Sequence, residues 1–588
     1  MKMELTQNEP HDFEIILNHI YGKGHYLRLV FIFCSITTLL AGLEVQTMIF
    51  MNYVPEHNCT DDRVVGDNAT SRWVSKLSHH NGTDVNRTQT TKKQAESTEQ
   101  CWAVINRQTE VTHFPCTNWT FDTTVMLRTV VSQFNLVCDR RVWIPWLESS
   151  YLFANAIGYI IASFGDMVGR KRTFLLFVVL EIIVCLVTPF IRTVSWLLVM
   201  RILRGLSTCL MYLGINLISE FAPVHLRSAY GNVFWSLWGV GYALCAGIAY
   251  LTRDWIQLRL WMCLFLLFYL PCPFVLSESP RWLCLRGHTE EAGRVLKRVA
   301  YWNGAHLPDE YFDKVDIFLH KQTNKTKENF SHSSLWKHLS DENDSGSRDT
   351  IWDLFTHPNL RFRCIVFCFA HTTVTFVYYG LITDNSFATE NIFLNVFLMG
   401  LTEIPSGFVA WALCDYMGRR TSTSVLLVLT ALCVGFTNLG ELTYPDVRTV
   451  MATTGKFFLG VVYCVSDLYI LEVFPTSIRT SSFFFIITVA GLFGAGAPFV
   501  NSLRRIARML PTVIYCMLAV TGAILVLAFL PETRDCPLAQ TVNESEQLVR
   551  GKERQWAERM KLATPDAFVR LQKIEVTKDE ELSQTAIL

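Results

Sequence analysis

Three observations predict an all-α membrane protein whose twelve transmembrane helices form two six-helix bundles. Of 588 residues, 50% are hydrophobic and only 18% are charged, less charge than a soluble chain of this length usually carries. The apolar residues gather into blocks of about twenty, enough to cross a hydrocarbon core about 30 Å thick. The blocks run six, a long polar interruption, then six more, which is the arrangement of a duplicated unit. The net charge is zero, so no overall polarity points to nucleic acid. The 40 Phe, 19 Tyr and 16 Trp suit membrane interfaces and the walls of a binding cavity.

The elements follow in order. Residues 1–26 are polar and lack the basic-then-apolar order of a secretory leader, so they are expected in the cytosol. Span 1, near 27–51, is too long for a leader's apolar core and is read as a retained helix. A polar loop, 52–145, follows it. Spans 2 to 6 are expected near 147–165, 173–192, 196–221, 230–251 and 258–277, completing a first bundle over 27–277. A polar linker covers 278–362. Spans 7 to 12 are expected near 363–383, 391–413, 422–440, 449–472, 480–502 and 510–530, a second bundle over 363–530 ahead of a polar tail, 531–588.

Basic residues in short loops set the orientation. Gly-Arg-Lys-Arg at 169–172 joins spans 2 and 3, Gly-Arg-Arg at 418–420 joins spans 8 and 9, and Arg227 and Arg479 follow spans 4 and 10. All fall on one side, taken as cytosolic together with both termini, in a multi-pass protein of the plasma membrane. The 52–145 loop is then outside. It carries five glycan acceptors, Asn58, Asn68, Asn81, Asn86 and Asn118, and four cysteines, Cys59, Cys101, Cys116 and Cys138. An even number in an oxidising compartment implies two disulfides, with three pairings open.

Two kinds of word recur at nearly one offset. Asp-Met-Val-Gly-Arg-Lys-Arg starts at Asp166 and Asp-Tyr-Met-Gly-Arg-Arg at Asp415, 249 residues on. Glu-Phe-Ala-Pro-Val-His-Leu-Arg starts at Glu220 and Glu-Val-Phe-Pro-Thr-Ser-Ile-Arg at Glu472, 252 residues on. Gly169 and Gly418 permit a tight reversal, while Arg170, Arg419 and Arg420 face anionic headgroups. Asp166 and Asp415 can cap the next helix or pair with an Arg across the turn. With Glu220, Arg227, Glu472 and Arg479 they form clusters expected to latch the bundles together in one state and release them in another.

These words resemble the major facilitator superfamily. Four others narrow the resemblance to the organic cation/anion/zwitterion transporters, solute carrier family 22. They are FNLVCDRRVW (134–143), SESPRWLCLRGHTEEAGRVL (277–296), FVYYGL with TEIPS (376–381 and 402–406) and LPETRDCPL (530–538). The resemblance covers roughly residues 11–540 and implies the major facilitator fold and alternating access. The chain departs from the family at Ala162, where Gly is usual, at Met167, where Arg is usual, and at Ser277, where Pro is usual.

The family position in span 11 that tends to set charge preference falls on Gly491, so the usual deciding charge is missing. The resemblance points instead to Trp235 and Trp238 in span 5, Tyr378 and Tyr379 in span 7, and Glu403 in span 8 as substrate contacts. Aromatic faces attract an alkylammonium by about 0.5–2 kcal/mol each. Ionisable residues inside spans cost about 2.5–3.5 kcal/mol on insertion scales, so each needs a reason. Asp467 in span 10 either replaces the missing carboxylate or pairs with Arg479 or a nearby turn. Glu44 and Glu181 read as structural partners. Arg201 and Arg204 resemble the superfamily's arginine motif or pair structurally, and Lys456 offers an anion contact. Gly491, Gly494 and Gly496 allow close packing with some bending near Pro498.

No phosphate loop and no metal-ligand spacing occurs, so neither ATP, a metal nor another cofactor is expected, and no enzyme activity. The reading is a transporter for small organic ions in a lipid bilayer, cations or zwitterions ahead of anions, with oligomeric state left open. A proton-coupled sugar transporter and a non-transporting receptor are the alternatives.

Overall fold

The computed structural model describes residues 13–60, 101–107, 110–163, 168–305, 307–308, 310–319, 352–383, 391–439, 445–475, 478–534, 536, 539 and 542–548. The expected sites at Asn68, Asn81, Asn86 and Asp166 lie outside the described residues. Among those residues, twelve long helical segments form the body. Spans 1 to 6 are His25–Met51, Trp143–Ser163, Arg170–Phe190, Val194–Phe221, Val224–Thr252 and Trp255–Val275. Spans 7 to 12 are Pro358–Thr383, Ile392–Met417, Arg419–Leu439, Pro445–Val473, Arg479–Arg505 and Leu510–Phe529.

Ten of these are long and apolar enough to cross a membrane by length and composition. Spans 2 and 10 have the length but are diluted by polar residues: Glu148, Ser149 and Asn155 on one, Lys456, Ser466 and Asp467 on the other. Five of those six are buried and Asp467 is half-buried, so the polarity turns inward rather than toward lipid.

Packing repeats between the halves. Span 5 lies along span 1 as span 11 lies along span 7, and span 2 packs on span 4 as span 8 packs on span 10. The halves meet through spans 5 and 8 and through spans 2 and 11, two contacts related by the same repeat. Where spans 5 and 8 cross, small residues let the backbones touch. A Cβ on Gly239 would lie 2.9 Å from the Gly400 carbonyl oxygen, and one on Gly400 would lie 2.7 Å from the Ala243 nitrogen.

One face of the bundle carries the loop after span 1. Its described parts include strand His57–Cys59 paired antiparallel with Trp119–Phe121, and hairpin Trp102–Arg107 with Glu110–Pro115. Two disulfides, Cys59–Cys116 and Cys101–Cys138, realise one of the three pairings the sequence left open. Asn58 and Asn118 are exposed beside the first strand pair. Beneath, fully buried Trp255 donates its Nε1–H to Gln133 Oε1 at 2.9 Å and ties the loop to span 6. This side is called the loop face below, and the opposite side, with the turns at Gly169 and Gly418, the turn face.

Candidate substrate cavity

A cavity of about 410 Å³ lies between the halves, within the ordinary range for small-molecule sites. Its lining comes from spans 2, 4 and 5 of the first half and spans 7, 8 and 10 of the second. Six expected contacts line it: Trp235, Trp238, Tyr378, Tyr379, Glu403 and Asp467. Gly491 does not. A Cβ there would lie 2.8 Å from that of Ala156, so this span 11 position serves the contact with span 2 and leaves no room for a side chain in this conformation. The cavity reaches toward the turn face at Leu471. On the loop-face side the halves meet through ring pairs, Phe50 stacked on Phe393 at 5.4 Å and Trp146 edge-on to Phe499 at 5.2 Å.

Glu403 is held from several directions. It forms an ion pair with Lys456, and Tyr378 donates its hydroxyl hydrogen to Glu403 Oε1 at 3.0 Å. The Tyr378 oxygen in turn accepts from Trp238 Nε1 at 3.0 Å and lies 3.0 Å from the Tyr242 hydroxyl. Because the single Tyr378 proton goes to Glu403, Tyr242 must be the donor in that last bond. Lys456 is fully buried, with Nζ 4.6 Å from the Tyr378 ring centre and 4.8 Å from that of Tyr242. The expected anion contact at Lys456 is therefore corrected: its ammonium is enclosed by a carboxylate and two rings, and it does not line the cavity. Its charge is 53 residues from Glu403 in sequence, and no local pattern links the two.

Asp467 is placed differently. Its side chain is 21% exposed, into the cavity, and its Oδ1 lies 3.8 Å from Nε2 of His371 of span 7. That is beyond hydrogen-bond reach. Both Asp467 Oδ1 and His371 Nε2 are buried without a hydrogen-bond partner. The other ring nitrogen, His371 Nδ1, sits 3.2 Å from Ser466 Oγ. Neither Arg479 nor a turn pairs with Asp467, so of the open alternatives the geometry leaves a cavity-facing carboxylate.

The wall around Asp467 is aromatic. Tyr212 packs edge-on against Tyr159 at 5.0 Å and Trp235 at 5.7 Å, and Tyr463 faces the Tyr378 ring at 5.8 Å. Sequence reasoning missed Tyr159, Tyr212, Tyr463 and His371. An ionisable His inside span 7 was the available signal; the tyrosines had none, since aromatic residues occur throughout the spans.

The first half buries a second set of charges away from the cavity. Glu44 of span 1 accepts from Arg201 at 3.3 Å, Arg204 at 3.3 Å and Arg259 at 2.7 Å. Glu181 pairs with Arg204 and accepts from Ser207 Oγ at 2.5 Å. All five charged residues are buried, and none lines the cavity, in keeping with the structural pairing expected of Glu44 and Glu181.

At the turn face, each repeated cluster is organised inside its own half. Arg170 pairs with Glu220, and Arg419 Nη2 with Glu472 at 2.9 Å. The N-terminus of span 9 is not capped by Asp415, which is exposed, but by Glu532, which accepts from the backbone of Arg419 at 2.8 Å and of Arg420 at 3.2 Å. Glu278 receives the Lys171 N–H at 3.0 Å in the same way. Gly169 and Gly418 adopt positive φ, 120° and 83°, and a Cβ on either would strike the capping carboxylate at 2.8 and 2.7 Å. Ser279 then donates to Glu220 at 2.7 Å and Thr533 to Glu472 at 2.6 Å. Glu278 and Glu532 are 254 residues apart, so Glu-Ser-Pro-Arg and Glu-Thr-Arg form a third repeated word that sequence reading missed. Arg227 Nε caps the end of span 4 by donating to Ser219 and Ala222 carbonyls at 3.2 and 3.0 Å, whereas two nitrogens of its counterpart Arg479 lack a hydrogen-bond partner.

Known proteins share this architecture. The E. coli xylose transporter XylE, in an inward open conformation, aligns with a TM-score of 0.57 at 14% identity over 89% of this chain and 100% of its own. Organic cation transporter 1 of Caenorhabditis elegans is 25% identical over 552 residues, 92% of this chain and 90% of that protein. Solute carrier family 22 member 6 of Pseudopleuronectes americanus is 29% identical over 460 residues, 77% of this chain and 78% of that protein. Residues 74–543 match the sugar (and other) transporter family, and with the two-bundle fold around a central cavity this chain belongs to that family: it is a membrane transporter of the major facilitator superfamily, not an enzyme.

Proposed function

We propose that this transporter carries small organic cations, binding them in the 410 Å³ cavity by alternating access. One observation carries the reading: Asp467 presents a carboxylate to an aromatic cavity with no Lys or Arg paired to it among the described residues. Glu403 is already neutralised by Lys456. The tyrosine and tryptophan faces stabilise an alkylammonium by about 0.5–2 kcal/mol per contact and exclude the water that would compete for Asp467. The name of the nematode relative, organic cation transporter 1, agrees with this charge preference. The lipid bilayer is the only other partner this reading requires.

The loop face is the extracellular side of the plasma membrane in this reading, with both termini cytosolic. Support comes from the disulfides at Cys59–Cys116 and Cys101–Cys138, the exposed acceptors Asn58 and Asn118, and the basic turns at Arg170 and Arg419 on the other face. The clusters around Glu220 and Glu472, expected to latch one bundle to the other, are in this reading internal braces: each is paired inside its own half and keeps that half rigid while the halves rock.

Uptake in expressing cells tests the substrate class with labelled tetraethylammonium, carnitine and an aromatic carboxylate. Saturable tetraethylammonium uptake is expected. In Asp467→Asn at equal surface expression, losing a charge-assisted contact of about 1.5–3 kcal/mol raises its KM roughly ten- to a hundredfold. Saturable uptake of the carboxylate alone overturns the proposal.

A further inference from the structure

We infer that this transporter exchanges its cation for a proton, with Asp467 the group that the two neutralise in turn and His371 the positioning residue that shares the proton. The inference rests on the cation reading above and adds its driving force. Among the described residues, Glu403 and Asp467 are the two carboxylates that line the cavity, and Lys456 cancels the first. Around Asp467 stand Tyr159 of span 2, Tyr212 of span 4, His371 and Tyr379 of span 7, Glu403 of span 8, and Tyr463 and Cys464 of its own helix. Among these, imidazole alone ordinarily titrates near neutral pH. With His371 neutral, the empty cavity holds one uncompensated negative charge.

Alternating access passes through a state in which the cavity is closed to both sides. Enclosing a bare carboxylate there is costly, because no water remains to solvate it. A bound monocation removes the cost on the loaded stroke. On the empty stroke something else must, and the local geometry is arranged for a proton. Asp467 Oδ1 and His371 Nε2 are both buried, both lack a hydrogen-bond partner, and lie 3.8 Å apart. A proton between them satisfies both atoms once they close by less than 1 Å, a movement open to a side chain 21% exposed to the cavity. The far side of the imidazole is already oriented by Ser466 Oγ at 3.2 Å and by the Tyr463 ring, 5.1 Å away centre to centre. The balance is simple. The incoming cation displaces one proton from the Asp467–His371 pair, the proton leaves on the side from which the cation came, and the returning empty carrier picks up one proton on the other side. One positive charge moves each way, so the exchange is electroneutral. A zwitterion cannot complete this cycle, since it leaves the Asp467 charge in place and needs the proton as a companion.

The test uses the purified full-length protein in liposomes with labelled tetraethylammonium, the membrane potential clamped by potassium and valinomycin. An interior one pH unit more acid is expected to drive accumulation toward about tenfold, the ratio set by one proton per cation. An inside-negative potential alone is expected to drive none. Asp467→Asn removes the alternating charge, so the remaining uptake becomes potential-driven and indifferent to pH. His371→Gln keeps uptake saturable but flattens its pH profile, and it provides the readout if Asp467→Asn does not fold. Wild-type uptake that follows potential and ignores pH overturns the exchange while leaving cation transport intact. Protons entering with the amine rather than leaving also overturn it. Absence of any saturable tetraethylammonium uptake overturns the cation reading and the exchange together.

Discussion

In the first half of the molecule, Glu44 sits fully buried among Arg201, Arg204 and Arg259, and Glu181 is closed off by Arg204 and Ser207. In the second half, Glu403 meets one lysine and still shows a face to the cavity, while Asp467, among the described residues, has no Lys or Arg partner and faces the His371 imidazole at 3.8 Å. Both sets of charges lie inside helices that cross a membrane, where each would be costly alone. The first half surrounds Glu44 and Glu181 with partners on neighbouring spans and leaves them no opening, so these charges act as scaffold. The second half leaves one carboxylate short of a cation, and that shortfall is what a substrate can fill. The two halves share a fold and turn chemistry, and the Glu44 cluster and the Glu403–Asp467 wall differ in whether their buried charge is complete.

The largest expected effect breaks the scaffold side. Glu44→Gln leaves three buried guanidinium groups short of a carboxylate and is expected to destabilise by about 3–5 kcal/mol, read as loss of monodisperse protein and a lowered Tm. Wild-type expression and melting in that variant would erase the distinction drawn here. A smaller effect is expected across the cavity. Lys456→Met strands Glu403 and abolishes transport with a stability loss of about 3 kcal/mol, but adding Glu403→Leu recovers most of that stability without recovering transport, because an apolar pair of similar size replaces an ion pair at little cost. Failure of the double variant to recover stability would make Glu403–Lys456 as structural as the Glu44 cluster. The smallest effect probes where the halves agree. Ser279→Ala and Thr533→Ala each remove one hydrogen bond to a turn-face glutamate, and each is expected to cost about 1 kcal/mol. Thermal melts differing by more than twofold between them would show that the repeated turns are not equivalent.

Much of the architecture was legible from sequence, because spanning a membrane is a local property. A run of about twenty apolar residues marks a helix wherever its neighbours lie. The doubled words beginning at Asp166 and Asp415, and at Glu220 and Glu472, exposed the duplication directly. Trp235, Trp238, Tyr378, Tyr379, Glu403 and Asp467 were identified from resemblance and from the cost of charge in a span, and all six line one cavity. The equivalence of Glu278 and Glu532 was equally available, since both words stood in plain view 254 residues apart.

Pairing was beyond reach. Composition and periodicity established the twelve helices, the two halves and the presence of ionisable groups that needed a reason to be inside. They did not say that Glu44 meets Arg259 from 215 residues away, that Lys456 closes on Glu403 instead of facing an anion, or that Gly491 packs on Ala156 rather than lining the site. Helix formation depends on neighbours within a turn or two, whereas the balance of buried charge depends on which faces of distant helices meet. That is settled only when the bundle packs.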